Sequence, residues 1–216
     1  MISDNLKKRF YTSLILLLLI FLILKFNFVM VYSLILLGVM SILEFLNITQ
    51  KIFKKIFFIF ISNICFIFLI FVFCFFILYF SNFTQLKIIL FILLAGCIAS
   101  DIGGFAIGKT LKGPKLTKIS PNKTISGSIG SLVFTIITIS SLVFYYVEHL
   151  DFQIIIVALA TSFACQLGDL FFSAVKRKAK IKDTGNFLPG HGGVLDRLDG
   201  IFFGLPAGFI TLIYLY

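Results

Sequence analysis

The chain has 216 residues, of which 60% are hydrophobic and only 13% charged. A soluble domain carries about a quarter charged residues, so these charges are too few to cover a water-facing surface, and lipid must solvate most of the chain. The net charge of +10 would suggest nucleic acid as the partner of a soluble protein. No segment between the apolar runs is long enough for a DNA- or RNA-binding module, and the excess fits the Lys and Arg that cytoplasmic loops collect.

In chain order, Lys7-Lys8-Arg9 precedes an apolar run with no small-residue cleavage site, which reads as a retained first helix and not as a signal peptide. The apolar block Phe10 to Leu46 is interrupted at Lys25 and Asn27. As one helix it would extend roughly 55 Å, too long for one bilayer, so it divides into two spans. These fall at about 10–24 and 28–46, followed by spans at about 56–80, 86–105, 128–147, 152–172 and 198–216. Polar, Gly- and Pro-containing stretches at 106–127 and 173–197 interrupt them. The expected fold is therefore all-α, a polytopic transmembrane bundle of about seven spans forming a single membrane domain over 1–216.

Charge tests the count. With seven spans, residues 1–9, 47–55, 106–127 and 173–197 share one side and carry 3, 3, 5 and 6 Lys and Arg, which is 17 of the 19 in the chain. The other side receives only Lys25 and Lys87. The positive-inside rule then places the N-terminus and both long polar loops in the cytoplasm. The 29 Phe residues read as lipid-facing and core filler. Cys65, Cys74, Cys97 and Cys165 all lie in apolar runs without CxxC spacing, and are expected to be inert buried thiols.

Ionisable groups at membrane depth are costly and mark function. Asp101, Asp169 and Asp196 sit at cytoplasmic span ends, and Asp199 just inside the last span. Glu44, near the end of the second span, reads as interfacial or as a support to a site. Gln166, Asp169, Ser173 and Lys176 are spaced 3, 4 and 3 apart, which is one stripe of a helix. A second cluster follows: Lys182-Asp183-Thr184-Gly185, Pro189-Gly190-His191-Gly192-Gly193 and Asp196-Arg197-Leu198-Asp199. Gly190, Gly192 and Gly193 allow close backbone approach to a ligand, or positive φ. Asp196 and Asp199 at a helix start either balance the helix dipole or hold a divalent cation such as Mg²⁺. His191 is a general acid or base, a phosphate ligand or a loop-packing residue. The loop after Asp101, with Gly103, Gly104 and Gly108, carries Lys109, Lys112, Lys115 and Lys118 and closes on Ser120-Pro121-Asn122-Lys123-Thr124. Hydroxyls and ammonium groups there suit phosphate, or anionic lipid head groups. No Walker A pattern occurs, which excludes an ordinary P-loop.

The stretch SAVKRKAKIKDTGNFLPGHGGVLDRLD, Ser173 to Asp199, resembles the signature of the phosphatidate cytidylyltransferase (CDP-diacylglycerol synthase) family. Gly168-Asp169 resembles that family's acidic residue on the preceding helix. Asp101-Ile102-Gly103-Gly104-Phe105 and Ser120-Pro121-Asn122-Lys123-Thr124 resemble two further elements, with Asn122 in place of a usual Lys and Ile125-Ser126 in place of Trp-Glu. The resemblance spans roughly 95–204, so the catalytic part would occupy about 86–216 and the spans over 10–80 match in hydropathy alone.

The resemblance implies transfer of CMP from CTP to phosphatidate, giving CDP-diacylglycerol and pyrophosphate, with Mg²⁺ bound by Asp169 and Asp196. On that basis Lys176, Arg177 and Arg197 would hold phosphates, and Asp101 and Asp199 would complete the metal shell or orient cations. Asp183 and His191 would belong to the catalytic set. Ser120, Lys123, Thr124, Ser173, Lys182, Gly192 and Gly193 would contact substrate. The expected location is the inner membrane, with the site facing the cytoplasm; a homodimer is compatible with this reading. The rivals are another CTP-dependent lipid enzyme, such as a polyprenol kinase or an archaeal-lipid cytidylyltransferase, and a transporter. Against the last, the polar residues gather at one face and no inverted repeat is visible.

Overall fold

The computed structural model describes residues 15, 18–117, 119–185, 187 and 192–216. Residues 18–25 are helical. Then come α1 (Asn27–Ile52), α2 (Ile56–Ser81), α3 (Thr84–Leu111), α4 (Ile125–Val147), α5 (Phe152–Lys178), the short α6 (Leu195–Leu198) and α7 (Ile201–Leu215). Among the described residues there is no strand, only an isolated antiparallel bridge between Lys115 and Thr124. Helices α1 to α5 and the segment Leu195–Leu215 are each long and apolar enough to cross a membrane. The protein is thus an all-helical, multi-pass membrane protein. Of the expected first span, 10–24, residues 10–14, 16 and 17 lie outside the described residues, and 18–24 are helical.

The chain divides into two compact units: Met1–Ser81 with Val175–Leu198, and Asn82–Ala174 with Asp199–Tyr216. In the first, α1 packs on α2. Phe45 stacks on Phe66 with ring centroids 4.0 Å apart, and Asn63 donates to Thr49 Oγ1 at 2.8 Å. The outward faces carry exposed Phe57, Phe60, Phe68 and Phe71, as lipid-facing surface requires. Cys65 is exposed on α2 and Cys74 half-buried, so the expectation of four buried thiols holds only for Cys97 and Cys165. A span interior is not shielded on every side, and a thiol on its outer face meets lipid.

In the second unit, small residues bring helices close. A Cβ on Gly103 would lie 2.6 Å from the Gly130 carbonyl oxygen and from Phe134 Cβ, and one on Gly130 would lie 2.5 Å from Ile107 Cβ. Ser131 donates to the Ser100 carbonyl at 2.7 Å across the same α3–α4 seam. This is small-residue packing of the kind that replaces hydrophobic driving force between membrane helices. Gly204 of α7 meets Cys165 and Cys97 in the same way.

The two long polar loops are shorter than expected. The one assigned to 106–127 is helical up to Leu111 and again from Ile125. Gly103, Gly104 and Gly108, counted with the loop in the sequence reading, instead lie within α3, where Gly103 and Gly104 pack on α4 and Gly108 meets Thr124 and Gly127. The break comes only at Lys112-Gly113, both at positive φ, followed by Pro114, which cannot continue a helix. The one assigned to 173–197 begins only after Lys178. There α5 ends in a two-bond Schellman turn, with Ile181 N–H donating to the Lys176 carbonyl at 3.0 Å and Lys180 N–H to that of Arg177 at 3.0 Å.

Candidate active site

In the first unit, the cluster forms around the carboxylate of Asp196 on α6. Its Oδ1 accepts from Lys176 Nζ at 2.7 Å. Its Oδ2 accepts from Thr184 N at 2.8 Å and from Gly193 N at 3.0 Å, with Thr184 Oγ1 at 3.1 Å. The Lys176 and Asp196 side chains are only 11% and 9% exposed, so the ion pair is buried and weakly screened. Gly192 sits at φ +85, and a Cβ there would lie 3.0 Å from Asp196 Oδ2. The positive φ and the tight approach both favour glycine.

Glu44, from the far N-terminal side of the sequence, completes this unit's cluster. It is buried, and accepts from Thr184 Oγ1 at 2.7 Å and from Val194 N and Leu195 N at 2.9 Å each. Sequence reasoning left its role open; the available signal was an acid near a span end. Arg177 is exposed, and its guanidinium donates to the Ile181 carbonyl at 2.9 Å, tying down the end of α5. Lys182, Asp183 and Arg197 are exposed. His191 lies outside the described residues, as do Pro189, Gly190 and Lys118.

In the second unit, the cluster forms around Asp169 on α5. Lys123 Nζ pairs with its Oδ2, and Ser173 Oγ donates to Oδ1 at 3.4 Å. Asp169 is 30% exposed, so ligands and water can reach it. The loop 112–124 delivers Lys123. Leu116 N–H donates to the Lys123 carbonyl at 2.8 Å, and Lys123 N–H to the Ser120 carbonyl at 3.0 Å, closing a small hairpin. Thr124 is the N-cap of α4, accepting from Gly127 N at 3.1 Å. Part of its hydroxyl capacity therefore serves the helix. One turn before Asp169, Gln166 accepts from Ser128 Oγ. Gly168 lets the backbone of Asp199-Gly200 approach, since a Cβ there would lie 2.5 Å from the Asp199 carbonyl oxygen. Asp199 is buried and its Oδ1 accepts from Gly200 N at 2.9 Å. Asp101 is exposed on α3.

The sequence-selected residues thus gather as Lys176 with Asp196, Thr184 and Gly193, and as Lys123 with Asp169 and Ser173. Both carboxylates are hard oxygen donors with unused lone pairs, and each already attracts one cation. This donor chemistry fits Mg²⁺ and not a soft metal. Among the described residues, no three His, Cys, Asp or Glu side chains come together as a ready metal site. A bound Mg²⁺ would keep waters or take substrate oxygens to fill its shell, which is its usual habit.

The cytidylyltransferase family profile matches residues 3–215. The chain is 42% identical over 136 residues to a phosphatidate cytidylyltransferase of Rickettsia prowazekii, covering 58% of this chain and 60% of that protein. It is 42% identical over 118 residues to one of Bacillus subtilis, covering 53% and 43%. It is 39% identical over 122 residues to one of Helicobacter pylori, covering 56% and 46%. The matched stretch spans about half the length of these relatives. With its profile matched over residues 3–215, the chain belongs to the cytidylyltransferase family.

Proposed function

We propose that this chain is a membrane-embedded nucleotidyltransferase that moves CMP from CTP to phosphatidate, releasing CDP-diacylglycerol and pyrophosphate. The observation that carries the reading is the state of the two acids that the resemblance makes metal ligands. Each is fixed by neighbouring donors and each already holds a lysine ammonium.

The chemistry suits these residues. The phosphate monoester of phosphatidate has a second pKa of about 6, so it arrives at neutral pH as a competent nucleophile. Its oxygen attacks the α-phosphorus of CTP as the bond to the β-phosphate oxygen breaks. No strong base is needed; the obstacle is the approach of one anion to another. Asp169 and Asp196 are the acids that would hold Mg²⁺, whose chemistry would be charge neutralisation and alignment of the phosphates. Lys123 and Lys176 hold the carboxylates in their present rotamers, and their ammonium groups stand ready to pair with phosphate oxygens. Arg197, Lys182 and Arg177 add exposed cations beside Asp196 in sequence. A position at the cytoplasmic membrane face would give access to both a bilayer lipid and a cytosolic nucleotide, and the one-sided distribution of Lys and Arg supports that orientation.

The test is purified protein with phosphatidate, Mg²⁺ and CTP labelled in turn at the α- and γ-phosphates. The reading expects α-label in lipid and unlabelled lipid in the γ-series, with pyrophosphate released. Transfer of γ-label would identify a lipid kinase and overturn it.

A further inference from the structure

We propose that Glu44 is a positioning residue that clamps Thr184 and the Val194-Leu195 backbone and so sets the place of Asp196, a role that rests on the enzymatic reading above. Glu44 lies 140 positions before Thr184 in sequence, yet its carboxylate is almost wholly spent on these two segments. Oε1 accepts from Val194 N and Oε2 from Leu195 N, both at 2.9 Å, and Oε2 accepts from the Thr184 hydroxyl at 2.7 Å. Burying an acid is costly unless donors surround it, so a side chain retained there with three donors has a defined task. The loop is shaped for it. A Cβ on Gly193 would come within 2.5 Å of Glu44 Oε2, and one on Gly185 within 2.8 Å of Oε1. Both glycines therefore leave room for this carboxylate, and Gly193 is one that the sequence reading assigned to ligand approach.

Thr184 links Glu44 to the acid at the site. Its N–H donates to Asp196 Oδ2, while its hydroxyl proton goes to the shorter contact, Glu44 Oε2, at 2.7 Å against 3.1 Å to Asp196. Gly193 N–H, next to the amide that Glu44 holds, also donates to Asp196 Oδ2. Releasing Glu44 frees both segments that hold Asp196 in place.

Glu44→Gln keeps the size and replaces one acceptor oxygen by an NH₂ donor, which in either orientation faces a backbone N–H. The expected result is a fall in kcat of about 10- to 100-fold, the usual effect of losing a group that orients a ligand-holding side chain. KM for CTP should stay within about 3-fold. Hydrogen–deuterium exchange supplies a readout independent of turnover. Amides in the 192–198 peptide should exchange about 10-fold faster or more, while α4 stays unchanged. Thr184→Val should speed exchange in the same peptide, and Glu44→Gln combined with Thr184→Val should be no worse than Glu44→Gln alone, because both remove one linkage. Near-normal kcat in Glu44→Gln, lost activity with unchanged exchange, or additive losses in the double variant would each overturn the proposal. If Glu44→Gln cannot be recovered folded, Thr184→Val decides alone: unchanged exchange at 192–198 overturns the clamp and faster exchange upholds it. Absence of product from the wild-type protein would sink the enzymatic reading and the kinetic role with it. The exchange comparison would then still uphold or overturn the hold on the loop.

Discussion

Replacing Lys176 by Met asks how much the buried ion pair at Asp196 contributes. The ammonium and carboxylate are 2.7 Å apart, with side chains 11% and 9% exposed. Removing one partner of such a pair costs about 3–5 kcal/mol, because the other charge is left buried. Here Asp196 keeps donors on Oδ2 from Thr184 N and Gly193 N, so the cost should fall at the low end, about 3 kcal/mol. For a chain of this size about 2–4 °C of melting midpoint accompanies each kcal/mol, giving a drop of about 6–12 °C. The assay is far-ultraviolet circular dichroism of detergent-purified protein, heated at a single scan rate because membrane-protein unfolding is commonly irreversible. The chain has no Trp, which makes helix content a better reporter than fluorescence. The double variant Lys176→Met, Asp196→Asn removes the stranded charge and should regain most of the midpoint while remaining inactive. A single variant melting within about 2 °C of wild type would refute the reasoning, as would a double variant no more stable than the single one.

Asp169→Asn should lower turnover at least about 100-fold with helix content and detergent elution unchanged, since this acid is partly exposed and its loss strands only a solvent-accessible lysine. Near-normal activity would remove Asp169 from the metal role. Lys180→Gly should raise the melting midpoint. Lys180 sits at φ 57 in the turn that ends α5, where an L side chain costs about 1 kcal/mol that glycine avoids. In a cysteine-free background, Glu148→Cys should react with an impermeant thiol reagent in intact cells and Lys182→Cys only after permeabilisation. The reverse pattern would invert the proposed orientation.

The helices were legible because the bilayer demands long apolar runs and leaves only short polar joints between them. What misled at the boundaries was glycine. Gly103, Gly104 and Gly108 look like loop punctuation, but in lipid a small residue is what lets two helices touch, and all three lie in α3 beside α4 or the residues that begin it. The signature residues around Asp169 and Asp196 were legible through their spacing. The binding state of each was not, because the pairs Lys123–Asp169 and Lys176–Asp196 join residues 46 and 20 positions apart. Glu44 was hardest to read. Its partners are the backbone N–H groups of Val194 and Leu195, which have no side-chain signature in a sequence.

These contacts also sort the basic residues, which composition alone treats as one excess. Lys51, Lys54, Lys55, Lys109, Lys112, Lys115, Lys178, Lys180 and Lys182 are all exposed. In water or among head groups each is a weak, screened charge whose effect is felt as a sum, and that sum is what the positive-inside rule reads. Lys123 and Lys176 differ: each pairs with a carboxylate, Lys176 in a buried pair and Lys123 in a half-buried one. An ammonium so placed adds little to topology and much to the local field, where low dielectric strengthens charge interactions. Conservative loss of a single exposed lysine should therefore shift neither orientation nor turnover greatly, whereas loss of Lys123 or Lys176 should change the site at once. The same net charge thus performs two physically separate tasks, and pairing with a carboxylate, not charge, tells them apart.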